Sequence, residues 1–407
     1  IMYCPRGRVW GGSSSLNAMV YARGHALDYD RWESEGAAGW SYADCLPYFK
    51  KAQNHELGRF TPGGRLNGLF ILNIDVGADD YRGGAGPLHV SRGKTGNPLF
   101  QAFLDASQEA GYPFTDDMNG HQQEGVGWMD MTIHKGIRAG LFVYQGQIER
   151  FCKGGRVQAC KKPLTLYSAQ KLWNMVPIGI RWFLFRKGLA ASAHLEAGGF
   201  IRSREGVPHP NVQFHFLPSG VIDHGRTPID QHAYQVHVGS LRSHSKGIVK
   251  LKSTNPRDHP VIDFNYMSTG EDWEEMRACI RLAREIFEQK AFDEFRGEEL
   301  KPGKDVQSDE ELDAFIRKYA DTAYHPSCTC RMGDPSDGTA VVDSEARVFG
   351  VENLRVVDAS IMPSIVSGNL NAPTIMMAEK MADHILGNEL LPKSEAPVYK
   401  TPETGQR

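Results

Sequence analysis

The chain has 407 residues, 41% hydrophobic and 23% charged, with a formal net charge of −3. That balance describes a folded protein able to bury a large core, in two domains or one large one, and it lacks the basic excess of a nucleic-acid binder. Seven cysteines, odd in number and without framework spacing, fit a reducing compartment. The first residue, Ile1, leads us to expect the natural start and any targeting segment upstream.

Near the start, Gly11-Gly12-Ser13-Ser14-Ser15 places adjacent glycines beside serines. Such a run lets backbone press against a ligand and offers N–H and hydroxyl donors, though a plain Gly/Ser loop explains it equally. Residues 30–51 read as helical, with Trp32, Trp40, Tyr48 and Phe49 packing. Residues 59–80, with Phe60-Thr61-Pro62-Gly63-Gly64 and apolar Leu69-Phe70-Ile71-Leu72, could be a loop, an insertion or translated non-coding sequence. Gly93-Lys94-Thr95 resembles the end of a phosphate loop, but the glycine needed five positions earlier is Leu88. Residues 97–111 form an amphipathic helix through Phe100, Phe103, Leu104 and Ala110.

The longest apolar run, residues 173–185, is too short to span a bilayer and contains Pro177 and Arg181. It reads as a buried helix or a surface-lying segment. Alternation predicts strands at 212–216, 234–238 and 248–251. Helices follow after Thr269 and after Ser308, the latter with Glu311 completing a capping box. Residues 324–386 then read as a histidine loop, a buried strand (354–357) ending in Asp358, and a polar turn feeding a helix. Pro373 suits that helix's first position and Gly387 its stop. Cys328 and Cys330 lie beside His325, but two further zinc ligands at recognisable spacing are lacking, so both read as packed thiols and no metal is expected.

The wording His325-Pro326-Ser327-Cys328-Thr329-Cys330-Arg331-Met332-Gly333, followed by Ser367-Gly368-Asn369-Leu370-Asn371-Ala372-Pro373-Thr374, resembles the C-terminal part of the glucose-methanol-choline (GMC) oxidoreductases. These are flavoproteins that oxidise alcohols. Residues 7–24 resemble the family's first signature. The match is strongest with the choline-oxidising branch. It implies an α/β (α+β) fold: a remnant FAD-binding domain and a substrate domain with an antiparallel sheet flanked by helices. The expected division is 1–140 partial FAD domain and cap, 141–162 a segment without counterpart, 163–323 substrate domain, 324–390 catalytic segment and 391–407 tail. No complete Gly-x-Gly-x-x-Gly occurs, so the family's opening nucleotide-binding unit is expected upstream of Ile1, and a central section is expected to be missing.

By resemblance, His325 is the catalytic base and Asn371 the second polar group on the substrate oxygen. Gly11, Gly12, Ser13, Asn17 and Met19 are candidate FAD contacts. Leu16 stands where some members carry a flavin-linking histidine, which implies non-covalent FAD. Asp358, with Ala359 beside it, would lie against the flavin, although a turn cap is the simpler role for an acid there. Thr374 would offer its N–H and hydroxyl to the ring. Tyr324, His215 and Glu196 are the candidate contacts for a quaternary ammonium substrate. The resemblance further implies choline as substrate, a membrane electron acceptor and a peripheral place on the mitochondrial inner membrane. The alternatives are a GMC dehydrogenase for another alcohol, or a truncated inactive product without flavin.

Overall fold

The computed structural model describes residues 12–15, 17–59, 65–66, 69–70, 79–93, 95–139, 152–221 and 229–402. Its main strands, in chain order, are β1 (Val20–Tyr21), β2 (Gln53–His55), β3 (Leu88–Arg92), β4 (Gly125–Trp128), β5 (Asp130–Met131), β6 (Cys152–Cys160), β7 (Ala197–Ile201), β8 (Val212–Leu217), β9 (Ala233–Ser240), β10 (Arg296–Lys301) and β11 (Asp321–Thr322). The larger sheet is antiparallel, in the order β10–β6–β9–β8–β7–β4, with β11 also paired to β6. A smaller sheet runs β1–β5–β3–β2, with β2 and β3 parallel.

The period of two on β8 and β9 gives the larger sheet two unlike faces. Phe214, Phe216, Tyr234, Val236 and Val238 are buried in one core with helices α3 (Pro98–Glu109) and α5 (Gly270–Phe287). Gln213, His215, Gln235 and His237 point the other way, with His215 directly opposite His237. The sheet therefore carries an apolar floor beneath a polar face.

Residues 30–51 form two helices rather than one: α1 (Ala26–Ser34) and α2 (Tyr42–Ala52). Gly36 and Gly39 make the break, at φ of 98° and 79°, which glycine adopts without a Cβ clash. Trp32, Trp40, Tyr48 and Phe49 are buried, as expected. Residues 141–162 were expected to stand apart, yet they supply β6. That strand pairs with β9 from Lys153↔Gly239 to Ala159↔Ala233, and Arg156, Val157 and Gln158 are buried. The larger sheet therefore draws on residues 152–160, and through β4 on residues 125–128, as well as on the strands that follow. Two glycines and a lysine hide the alternation of β6; cross-strand pairing makes it a strand.

The strand expected at 248–251 forms but with another partner, and the one at 354–357 does not form. Ile248–Lys250 pairs only with Val261–Asp263, in a ribbon outside the larger sheet. Residues 354–357 make one isolated bridge, Arg347↔Arg355, with Leu354 exposed. Of residues 59–80, the described part is Arg59, Arg65–Leu66 paired with Leu69–Phe70, and the end at 79–80.

The helix starts follow the sequence closely. Thr269 accepts from the Asp272 N–H, and Ser308 with Glu311 caps α6 (Asp309–Tyr319) reciprocally. The apolar run forms α4 (Leu172–Phe185), which lies on the surface with none of its residues buried.

His25 caps α1 through Nδ1, which accepts from the Leu27 N–H at 3.2 Å. Its ring is buried and stacks on His209 at 4.6 Å. Burial, with the Arg242 charge adding to it and Asp28 opposing, lowers its pKa from 6.5 to about 4. The unfolded chain thus binds a proton that the folded chain excludes, so stability is full above pH 6.5 and falls as pH drops toward 4. The expected loss is about 3 kcal/mol. Denaturant unfolding at both ends of that window should show it, and His25→Asn, which keeps a capping oxygen without titrating, should remove most of it.

Candidate active site

The His325 loop is held by backbone bonds to a 3₁₀ turn, Ala359–Ile361. Cys328, Cys330 and Met332 N–H groups donate to the carbonyls of Ala359, Ser360 and Ile361 at 3.2, 2.9 and 2.8 Å. Asp358 caps that turn, accepting from the Ser360 N–H at 2.8 Å, and Ala359 is fully buried. The turn-cap role is therefore the one the structure displays for Asp358. Tyr324 and Cys328 have φ of 63° and 73°, in the left-handed region that non-glycine residues avoid. Such strain on both sides of His325 marks a loop whose conformation is fixed by its surroundings.

The last helix, α7 (Asn371–Leu386), starts two residues earlier than expected, so Pro373 is its third residue. Proline costs nothing there, because the first four N–H groups of a helix lack intrahelical partners. Thr374 donates both its N–H (3.0 Å) and its hydroxyl (2.6 Å) to the Leu370 carbonyl. This corrects the expectation that both donors face a cofactor. The N–H groups of Asn371 and Ala372 have no partner among the described residues.

The carboxamide at His325 belongs to Asn369, not Asn371. Asn369 Nδ2 lies 3.1 Å from His325 Nε2. Asn369 Oδ1 accepts from Gln213 Nε2 at 3.2 Å, which orients the amide so that its NH₂ faces the imidazole. His325 Nε2 is then the acceptor, its single lone pair taken up by the Asn369 amide. Gln213 Nε2 uses its other hydrogen on His215 Nε2, at 3.1 Å. One strand across, Gln235 repeats the pattern: Oε1 accepts from the Val221 N–H at 2.6 Å and Nε2 contacts His237 Nε2. A polar chain therefore runs from the His325 loop through Asn369 and Gln213 to His215. Sequence reasoning placed His325 and His215 but missed Asn369, Gln213, Gln235 and His237. The repeated Gln-x-His on neighbouring strands was the signal available.

Asn369 is positioned from the first segment of the chain. Asp28 accepts from the Ser367 N–H (2.7 Å), the Ser367 hydroxyl (2.6 Å) and the His25 N–H (2.9 Å). Gly368 presses on Gly24, where a Cβ would stand 2.7 Å from the Gly24 nitrogen. Val20 also packs in one small cluster with Phe200 of β7, with Ala323 beside it, which ties the opening segment to the residues just before His325.

The remaining expected contacts are dispersed. Gly11 and Leu16 fall outside the described residues; Gly12 and Ser13 begin a 3₁₀ turn, Gly12–Ser15, whose Ser13 carbonyl accepts from the Asn17 N–H at 2.9 Å. Asn17 Oδ1 accepts from the Met19 N–H (2.9 Å) and from Arg138 Nη1 (2.7 Å), and Met19 has φ of 64°. Tyr324 stands half-buried beside His325, its N–H on the Thr322 hydroxyl at 3.0 Å. Glu196 is fully buried, accepting from the Thr95 N–H and hydroxyl at 2.8 and 2.7 Å and from the Ser192 hydroxyl. A carboxylate so occupied fastens Thr95 and Ser192; it does not face a cation. That corrects its expected substrate role.

Two family models described as GMC oxidoreductase match residues 1–143 and 243–378. The chain is 52% identical to the mitochondrial choline dehydrogenase of Mus musculus, over 99% of this chain and 79% of that one. It is 44% identical to the oxygen-dependent choline dehydrogenase of Paraburkholderia phymatum, over 98% and 82%. The chain belongs to the GMC oxidoreductase family. The alignment with the mouse protein extends over 491 positions against 407 residues here, so part of that relative runs opposite gaps. In fold, the chain superposes on the formate oxidase of Aspergillus oryzae with a TM-score of 0.81, at 20% identity, over 94% of this chain and 84% of that one. Strands β6 to β9 lie between the two matched stretches.

GMC oxidoreductases bind FAD, and the residues at this site fit its ring end. The open N–H groups at the start of α7 can face ring carbonyl and nitrogen acceptors, with partial positive charge behind them. The Thr329 hydroxyl, in the His325 loop, is buried without a partner among the described residues.

Proposed function

We propose that the chain carries out FAD-dependent oxidation of choline to betaine aldehyde. The observation that carries this reading is the Asn369–His325 pair, joined through Gln213 to His215. The 52% identity to a choline dehydrogenase supports the choice of alcohol. An alcohol hydroxyl that displaced this direct contact would donate to His325 Nε2 and accept from Asn369 Nδ2. His325 takes the hydroxyl proton, and Asn369 steadies the oxygen as negative charge develops on it. The flavin, when bound, supplies the acceptor for the hydride leaving the carbinol carbon.

Asn17, Met19, Ser13, Gly11 and Gly12 would hold the cofactor with Asp358, Ala359 and the start of α7. With leucine at position 16, the attachment is non-covalent. A quaternary ammonium cannot accept hydrogen bonds, so aromatic faces must hold it, each worth about 0.5–2 kcal/mol. Tyr324, adjacent to the base, is the best placed for that, with His215 near it on the polar face. The electrons pass to a membrane acceptor, and the setting is the mitochondrion that the mouse relative's name specifies.

The test compares choline with its neutral isostere, 3,3-dimethylbutan-1-ol, on protein whose visible spectrum confirms bound flavin. The expected result is a kcat/KM about ten-fold or more higher for choline, the size of one or two cation–π contacts. Equal turnover would mean that a GMC dehydrogenase for another alcohol is the right reading.

A further inference from the structure

We propose that α4 is a membrane-docking helix that lies in the interface of an anionic lipid surface. The reading concerns how the protein is placed and holds whichever alcohol it oxidises. Over Leu172–Phe185 only Asn174, Ile178 and Trp182, spaced four apart, are partly covered, and they form the helix's inward stripe. Trp182 anchors that stripe, donating Nε1–H to the Gly136 carbonyl at 2.8 Å. Asn174 does the same at the other end, donating to the Ser168 carbonyl at 2.8 Å. Every other face is exposed and mostly apolar: Trp173 is 73% and Phe183 69% accessible, with Leu172, Ile180, Leu184 and Phe185 beside them. At 100° per residue Leu172, Trp173, Ile180, Phe183 and Leu184 lie within about 120° of the circumference, a contiguous apolar face rather than scattered residues.

Charge identifies the covering surface. No aspartate or glutamate occurs between Lys162 and Glu196, while Lys171, Arg181, Arg186 and Lys187 do. Lys171 begins the helix, Arg186 and Lys187 end it, and Arg181 borders the apolar face. Among the described residues Arg181, Arg186 and Lys187 have no acidic partner. Cations that rim an apolar, Trp- and Phe-bearing face suit a layer with phosphates outside and acyl chains within, and Arg186 sits at that rim with its guanidinium over the Trp182 and Phe183 rings, at 4.3 and 5.9 Å. Fourteen residues span about 21 Å, too short to cross a bilayer, and among the described residues no helix is long and apolar enough to do so. The helix would therefore lie flat. A second copy of this chain would bring the same unpaired cations against each other, which favours lipid over self-association.

The test is co-sedimentation of the full chain with vesicles of phosphatidylcholine alone and of phosphatidylcholine mixed with phosphatidylglycerol. Tight partition onto the mixed vesicles is expected. Trp173→Glu with Phe183→Glu should weaken it about a hundred-fold or more. Arg181→Gln with Arg186→Gln should weaken it about twenty-five-fold, an effect that shrinks with added salt. Because the glutamate variant must be shown to fold, the unaltered protein supplies a second readout. Brominated acyl chains should quench its fluorescence, and Trp173→Phe should lose most of that quenching. Failure to bind mixed vesicles, binding unchanged in a folded glutamate variant, or concentration-dependent self-association removed by that variant without vesicle binding would each overturn the proposal.

Discussion

Replacing His325 by alanine is expected to lower kcat/KM for choline by about 10²–10⁴-fold, with the flavin spectrum retained. The loss should fall on kcat, because proton removal belongs to the transition state while the ammonium end of the substrate is held elsewhere. The companion variants decide which asparagine acts with it. Asn369 Nδ2 lies at hydrogen-bond distance from the imidazole, and its amide is oriented by Gln213. Asn369→Ala should therefore cost about 10²–10³-fold in kcat/KM, as removal of a donor to a developing oxyanion does. Asn371 begins α7, and its side chain makes no hydrogen bond among the described residues, so Asn371→Ala should stay within a few-fold. If the two asparagines rank the other way in steady-state kinetics, the Asn369–His325 contact is a packing feature, not the catalytic pair.

That two-residue difference shows where the sequence could be read and where it could not. The helix, its Gly387 stop and the histidine loop follow from local signals: a polar turn, Pro373, an apolar stripe. Which of two asparagines in Asn369-Leu370-Asn371 faces His325 depends on where the helix begins, and proline is tolerated at several positions of the first turn. The choice is made by tertiary contacts, namely Gly368 against Gly24 and Ser367 on Asp28. Likewise β8 and β9 show clean alternation and are legible, whereas Cys152–Cys160 becomes a strand only because β9 and β10 flank it. Leu354 illustrates the opposite error: a short apolar run suggests a buried strand, yet the residue is exposed. Glu196 misled for a different reason. An acid offers a counter-charge for a cation, but the oxygens of Glu196 are already taken by Thr95 and Ser192.

Phe216→Ala is expected to destabilise the fold by about 3–5 kcal/mol, a large share of the 5–15 kcal/mol typical of a domain. The ring is fully buried, stacked on Phe103 at 5.0 Å, and edge-on to Phe100 at 5.8 Å and Phe287 at 6.1 Å. It also lies against Tyr234 and Phe292, at 5.9 and 6.1 Å. Truncation would leave a void walled by α3, α5 and the sheet, whose regular elements cannot close in to fill it. Phe216→Leu keeps most of the volume and should cost less than half as much. Denaturant unfolding measures both. The functional readout separates the two faces of the sheet. Phe216 and His215 are neighbours in sequence but point to opposite sides, so truncating the ring loosens the helix side and leaves Gln213, His215 and Asn369 in register. Well below the unfolding transition, Phe216→Ala should therefore keep kcat/KM within a few-fold of the parent while its stability drops. A loss of turnover comparable to that of His325→Ala under those conditions would mean that the apolar floor and the polar face are not separable, and that the sheet does more at the site than hold Gln213 in place.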